Sequence, residues 1–267
     1  MLIEIVFILL LLVLAVWLFG FVHANDFSVQ TKYAKDISKT YTNVLIIFPH
    51  ADDEVLSTAG VITELAQRGV KLHWLILTQG EKGNEHASID QQLKKIRVEE
   101  AVRAFGIYKM TDLIQRNYPD NGVTEHRDQL CKELKQTIES IQPDLIITYD
   151  LAGLYGHPDH IVTSEVVTDL VKHYFPDTKL WYVSHPLKIL NSIQLPEHMA
   201  KDKLFKAKRS YPSFKVLIGP WGIINKIRAL YVYESQRQSF LKSFPTRWIP
   251  LWFSVSVMTY EYYHEAH

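Results

Sequence analysis

Cysteine is almost missing from this chain, with Cys131 standing alone among 267 residues. One thiol can neither close an internal disulfide nor build a cysteine-based metal site. In a segment with helical spacing it reads as a small apolar residue. An excess of either charge is missing too. Lys and Arg together number 29, and so do Asp and Glu, so no global field recruits nucleic acid or an acidic surface and charge-driven recognition must be local. Internal repeats and low-complexity stretches are absent. The start of the chain also lacks basic residues: Glu4 precedes the first apolar run, and no Lys or Arg does.

That run is the first thing present. Ile5 to Val22 carries no charge and is dominated by Leu, Ile, Val and Phe, which is long enough to span a bilayer. A cleaved signal peptide competes with this reading, since Ala24, with Val22 two positions before it, makes a passable cleavage site. The length of the run and its non-basic start favour a retained anchor. Lys32, Lys35 and Lys39, partly offset by Asp26 and Asp36, then put the following domain on the cytoplasmic side by the positive-inside rule. The expected organisation is an anchor over 1–24, a linker over 25–42 and one domain over 43–267. The composition, 47% apolar, suffices for its core.

From Asn43 short β-branched runs alternate with longer amphipathic ones, the pattern of a Rossmann-like α/β fold: a mostly parallel sheet flanked by helices. Strands are expected at Val44–Phe48, Leu72–Thr78, Leu113–Gln115, Leu145–Tyr149 and Leu180–Ser184. Helices are expected at Val55–Arg68, closed by Gly69, and at Ile89–Phe105, stopped by Gly106. Two more follow at Glu125–Ile141 and Ile161–Tyr174. Beyond His185, Pro186, Pro196, Pro212 and Pro220 interrupt the periodicity and no strand can be placed. The aromatic stretch Phe244–Tyr263 reads as cover for the core, or as an interfacial membrane contact beside the anchor.

Four polar clusters fall where expected strands end: Pro49 to Glu54, Thr78 to Asn84, Tyr118 to Gly122, and Tyr155 to His160. An open α/β sheet binds ligands at the carboxyl ends of its strands, so together these clusters describe one site. The first sets His50 beside three carboxylates, Asp52, Asp53 and Glu54, a crowding of negative charge that a cation would relieve. His50 and Asp53 suit zinc, and His160 supplies a third ligand that leaves a position open for water. Taken alone, the first cluster also fits a helix N-cap, and Pro158-Asp159 a helix start.

These residues resemble the LmbE-like or PIG-L de-N-acetylases, zinc hydrolases of N-acetylglucosaminyl conjugates. Pro49-His50-Ala51-Asp52-Asp53-Glu54 matches the family's Ala-His-Pro-Asp-Asp-Glu with proline and alanine exchanged. The likeness continues through Thr78-Gln79-Gly80-Glu81, Arg97 to Glu100, Phe105-Gly106, Pro119-Asp120, Tyr149-Asp150 and Tyr155-Gly156-His157-Pro158-Asp159-His160. It ends at Ser235-Gln236, where the family's histidine two positions before Ser is Tyr233.

The resemblance implies that His50, Asp53 and His160 ligate Zn²⁺, or Fe²⁺ in the same donor set, that Asp52 is the general base, and that a protonated His157 faces the oxyanion. Asp159 is expected to hold His157, with a first-turn helix acid as its plain alternative. Arg97 either pairs with Glu100 on a helix surface or contacts substrate. Tyr155 and Asn84 are further substrate-contact candidates. His73, His86, His126, His173, His185 and His198 read as structural or surface histidines. The implied partner is an N-acetylglucosaminyl conjugate, glycolipid-like if the anchor marks the substrate's location and soluble otherwise. A non-catalytic sugar- or metal-binding module is the reading from another class.

Overall fold

The computed structural model describes residues 1–82, 90–191, 204–244 and 249–266. Eight strands form one sheet: β1 (Gln30–Tyr33), β2 (Asn43–Phe48), β3 (Lys71–Thr78), β4 (Asp112–Tyr118), β5 (Leu145–Tyr149), β6 (Lys179–Ser184), β7 (Phe214–Leu217) and β8 (Tyr260–Glu265). Their order is β1-β7-β8-β6-β5-β2-β3-β4. Every pairing is parallel except those of β8, which runs antiparallel to both β6 and β7. The chain winds from β2 through β3 to β4 in one direction and places β5 and β6 on the other side of β2. The crevice at the carboxyl ends of β2 and β5 is therefore the topological switch point.

The period of two along the strands sorts the core into two layers. Val44, Ile46 and Phe48 of β2 face the layer that holds Trp74, Ala101, Ala229 and Leu230. Leu45 and Ile47 face the opposite layer, with Leu134, Ile138, Val166 and Leu170. Helices Ala59–Ala66, Gln91–Tyr108 and Pro220–Val232 cover the first face, and Arg127–Ile141 and Pro158–Tyr174 the second. Cys131 packs half-buried against the second layer.

Several expected boundaries move, each for a visible reason. The single helix expected over Val55–Arg68 is two, Asp53–Ser57 and Ala59–Ala66, broken at Thr58 (φ −152°, ψ 5°). The break is held by the last strand. Glu261 of β8 accepts the amides of Gly60 and Val61 at 2.9 and 2.8 Å and so caps the new helix. Thr58 Oγ1 meets the Tyr263 hydroxyl at 2.6 Å. The second expected helix runs through Gly106 to Tyr108, whose ring is buried, and closes at Lys109 in the left-handed region (φ 56°). The strand expected over Leu113–Gln115 extends over Asp112–Tyr118.

Residues 25–42, expected as a linker, carry β1 and the Ala34–Thr40 helix, so they belong to the folded domain. A four-residue strand is too short to register as a periodicity. The N-terminal helix Leu2–Ala24 is long and apolar enough to cross a membrane by length and composition, with a mean hydropathy of 3.2. None of its residues is fully buried.

Candidate active site

The first cluster sits directly after β2. The fully buried run Val44–Phe48 ends at Pro49, and the chain turns so sharply that Asp52 takes φ 92°. Asp is among the few residues that tolerate this region. The turn is tied from within: the His50 amide donates to Asp53 Oδ2 at 2.9 Å, and the Asp52 amide to Glu54 Oε2 at 3.1 Å. Beyond the neighbouring strand β5, His157 caps the Pro158–Tyr174 helix by accepting the Asp159 amide on Nδ1 at 3.2 Å, and His160 lies in that helix's first turn.

His50, Asp53 and His160, 107 or more positions apart across the two clusters, converge. His50 Nδ1 stands 3.2 Å from His160 Nε2 and 3.5 Å from Asp53 Oδ2. His160 Nε2 stands 3.4 Å from Asp53 Oδ1. Donors bound tetrahedrally at 2.0–2.1 Å lie about 3.3 Å apart, so these atoms already have the spacing of a metal's ligand shell. The far edge of the His50 ring meets two more carboxylates, Asp159 Oδ2 and Asp120 Oδ1, each 3.2 Å from Nε2. A carboxylate behind a ligating imidazole fixes its tautomer and raises its basicity.

The electrostatics point the same way. Burial disfavours a charged His50, yet Asp120, Asp159 and Asp53 together raise its pKa well above the ordinary value. Burial likewise opposes the charge of Asp53, but His160 and His50 hold it below the usual carboxylate range. A field that strong in favour of positive charge suits a divalent cation. Asp52, beside these groups, is pushed up to about 7, chiefly by burial and further by Asp53, with Arg97 pulling the other way. Glu54 is fully buried and goes up to about 8 through burial and the neighbouring Asp52. Its Oε1 accepts the hydroxyls of Tyr108 and Tyr233 at 3.0 and 2.9 Å.

Three expectations change. His157 was expected to be protonated and held by Asp159. Burial and the neighbouring His160 and His50 instead push its pKa down to about 2, and its Nδ1 accepts the Asp159 amide. The Asp159 carboxylate turns to His50 and to the amides of Asn121 and Val123, at 2.8 and 3.1 Å. Arg97 is neither a surface partner of Glu100 nor open to solvent. It is 4% exposed, and its Nη2 donates to the Ala51 carbonyl at 2.8 Å and to Asp52 Oδ1 at 3.3 Å. Gly80 makes room for it, since a Cβ there would collide with the guanidinium. Glu100 accepts the amide and hydroxyl of Ser235 at 2.8 and 2.6 Å. Asn84, His86 and His198 lie outside the described residues.

Tyr155 is half-buried with its ring centroid 5.0 Å from that of His160, edge to face. Together with Asp52 and Asp53 it lines a cavity of about 650 Å³. His185, read as merely structural, lines the same cavity, buried and pushed by that burial down to about 4. The sequence pattern also gave no role to Asp120, although its place after a strand end was the available signal.

The family model for PIG-L, GlcNAc-PI de-N-acetylase, matches residues 45–171. Among curated relatives, a probable N-acetyl-alpha-D-glucosaminyl L-malate deacetylase 2 of Bacillus anthracis is 35% identical over 136 residues, covering 49% of this chain and 60% of the relative. A 1D-myo-inositol 2-acetamido-2-deoxy-alpha-D-glucopyranoside deacetylase of Rhodococcus jostii is 31% identical over 154 residues, covering 48% and 53%. The chain thus spans little more than half the length of the curated relatives it matches. The fold is shared with solved structures. The zinc-inhibited form of a teicoplanin deacetylase superposes with TM-score 0.58 at 16% identity, over 76% of this chain and 88% of the other. The N,N'-diacetylchitobiose deacetylase of Pyrococcus horikoshii does so with TM-score 0.53 at 22% identity, over 85% and 84%. The PIG-L match covers both halves of the site, from β2 through the Pro158–Tyr174 helix.

Proposed function

We propose that the protein is a metal-dependent N-deacetylase of an N-acetylglucosaminyl conjugate, held at a membrane by its N-terminal helix with the catalytic domain on the cytoplasmic side. The observation that carries this reading is the position of Asp52: a carboxyl held near neutrality at the floor of a cavity, next to three donor atoms spaced for one metal ion. The two curated relatives are named for different aglycones, malate and inositol, on the same acetamido sugar. The shared part of the substrate is the group that this site would act on.

In this reading His50, Asp53 and His160 hold Zn²⁺ or Fe²⁺, which supplies Lewis acidity at the scissile amide. Asp52 takes a proton from the attacking water, a task suited to a carboxylate whose pKa is near the working pH. Arg97 fixes that carboxylate by gripping it together with the Ala51 carbonyl. His157 presents a neutral Nε2–H to the oxygen that gains charge, as an uncharged imidazole can. Asp159 and Asp120 orient His50. Glu54 accepts the Asp52 amide and so supports the strained turn on which the base sits. Tyr155 borders the space that the sugar would occupy.

The test is direct. The full chain is purified in detergent, its metal content measured, and acetate release followed from N-acetylglucosaminyl conjugates. Stoichiometric metal with acetate release supports the reading. Metal or sugar binding without turnover on any conjugate favours the non-catalytic alternative. Recovery of the protein in the membrane fraction after alkaline wash, with a C-terminal tag protected from external protease in intact cells, tests the anchor and its orientation; a shortened, released chain would show cleavage instead.

A further inference from the structure

The cavity that ends on Asp52 and Asp53 does not stop at the catalytic groups. Its lining is mostly apolar, with Lys188 and His23 among the polar exceptions, and takes in the N-terminal helix through Val16, Phe19, Gly20 and His23. These positions follow i, i+3, i+4, i+7, so a single stripe of the helix faces the cavity. Phe253 and Val257 of the C-terminal segment also line it.

The helix is fastened in this place by its last turns. Trp17 Nε1 donates to Ser256 Oγ at 3.1 Å, and Asn25, fully buried, donates to the Val257 carbonyl at 2.7 Å. Lys188 Nζ donates to the Val22 and Asn25 carbonyls at the end of the helix. Gly20 is the point of closest approach, where a Cβ would come within 3.1 Å of Val257 Cγ1. The preceding turns, before Val16, are exposed. At 1.5 Å per residue, residues 2–19 cover about 27 Å, close to the thickness of a bilayer's hydrocarbon core. Val16 and Phe19 then lie at the inner edge of that core, and the apolar end of the cavity lies beside them.

We infer that the N-terminal helix is a wall of the substrate chamber as well as a tether, and that its Val16–Phe19–Gly20–His23 stripe receives one hydrocarbon chain of the acetamido-sugar conjugate, entering sideways from the membrane. The inference rests on the reading of the Asp52 end as the deacetylation site. Two features of the cavity select this occupant. It is continuous from the catalytic carboxylates to the helix, so one molecule can reach both ends. Its far end, lined by Phe19, Phe253 and Val257, offers an alkyl chain the same surroundings that it leaves in the bilayer. Each methylene taken from water into such a wall is worth about a fourfold gain in affinity.

The experiment compares methyl and octyl glycosides of N-acetylglucosamine on the full chain in lipid nanodiscs, with empty nanodiscs subtracted. Binding is read by calorimetry in the Asp52→Asn background, and acetate release with Asp52 intact. The octyl conjugate is expected to bind at least tenfold more tightly than the methyl one. Val16→Trp, which fills the chamber, and Val16→Glu, which charges its wall, should each cut that preference at least tenfold. Leu18→Trp, the same added bulk on a face that neither lines the cavity nor meets Ser256 or Val257, should keep the wild-type ratio. Equal binding of the two glycosides, or equal effects of Val16→Trp and Leu18→Trp, would overturn the inference. An octyl preference in binding that Val16→Trp removes, without acetate release from either glycoside by the unmodified protein, would instead overturn the deacetylase reading and leave the wall in place.

Discussion

The Asp159 carboxylate lies 3.2 Å from Nε2 of His50, on the ring edge opposite the nitrogen that faces His160 and Asp53. The same carboxylate accepts the amides of Asn121 and Val123, so it joins the loop after β4 to the donor set after β2. Such a carboxylate sets the tautomer and aim of a ligating imidazole. Asp159→Asn should therefore weaken metal binding by about 10- to 100-fold. It keeps the side chain's shape but turns one of two accepting oxygens into a donor facing a backbone amide, so some loss of thermal stability should accompany it. Competition with a chromogenic chelator checks the affinity, and an unchanged metal affinity would sink this role.

Arg97 acts on the base by charge as well as by position. Its guanidinium, 3.3 Å from Asp52 Oδ1, favours the ionised carboxylate and opposes the upward push of burial. Removing that charge disfavours ionisation, so the pKa of Asp52 rises and the base is lost at a higher pH than before. For Arg97→Met, the acid limb of kcat/KM should move upward by about one pH unit or more. Arg97→Lys should restore part of the shift by returning a positive charge, with less of the positional hold, because its shorter side chain reaches less far towards the Ala51 carbonyl and Asp52 Oδ1 that Nη2 of Arg97 contacts. A pH profile in which Arg97→Met loses rate uniformly, with its limb unmoved, would make Arg97 purely a scaffold.

His185 supplies a stability prediction away from the donor set. Burial, with Lys226 adding to it, lowers its pKa from 6.5 to about 4. The folded protein thus disfavours protonation that the unfolded chain accepts. Its contribution is present above the unfolded value and is lost as pH falls from about 6.5 through about 4. The loss is on the order of 3 kcal/mol. His185→Leu should cost less at pH 5 than at pH 7.5, narrowing the gap in chemical-denaturation stability between variant and parent as the solution is acidified. A gap that stays constant over this range would show that His185 does not titrate on unfolding in the way its burial implies.

How much of this was legible in the sequence depended on whether a signal was local. The runs 44–48, 72–78 and 145–149 announce buried parallel strands because apolar residues follow one another with little polar relief, His73 being the main exception. The polar clusters at their ends announce a site because sheet topology brings those ends together. The break at Thr58 could not be read, since its cause is Glu261, some 200 residues away. The direction of Asp159 was hidden for the same reason: its neighbour in sequence is His157, but its partner in space is His50. Arg97 looked like half of a surface pair because the i, i+3 spacing to Glu100 is a local fact, while its burial against Ala51 is not. The strands β1 and β7 are only four residues long and β8, built of Tyr, Glu and His, has no aliphatic run, and the stretch walled by the N-terminal helix mixes residues from both chain ends.

Asp52 and Asp53 are adjacent and chemically identical, yet their surroundings separate their tasks. Asp53 is held ionised by His160 and His50, with both oxygens directed at donor atoms of the cluster. Asp52 is raised towards neutrality and borders the cavity, with Arg97 on one oxygen. Asp53→Ala should therefore remove metal and activity together. Asp52→Asn keeps the size of the side chain and its acceptor towards Arg97 while abolishing its basicity, so metal should stay near stoichiometric as turnover falls by a factor of about 10² or more. His157→Ala should also retain metal and lose rate, since its Nε2–H is proposed to act on the developing charge and not on the ion. Metal analysis of each purified variant, paired with acetate release, distinguishes the cases. Loss of metal in Asp52→Asn with retention in Asp53→Ala would exchange the two assignments. Unchanged acetate release by Asp52→Asn would remove the carboxylate from the proton path altogether.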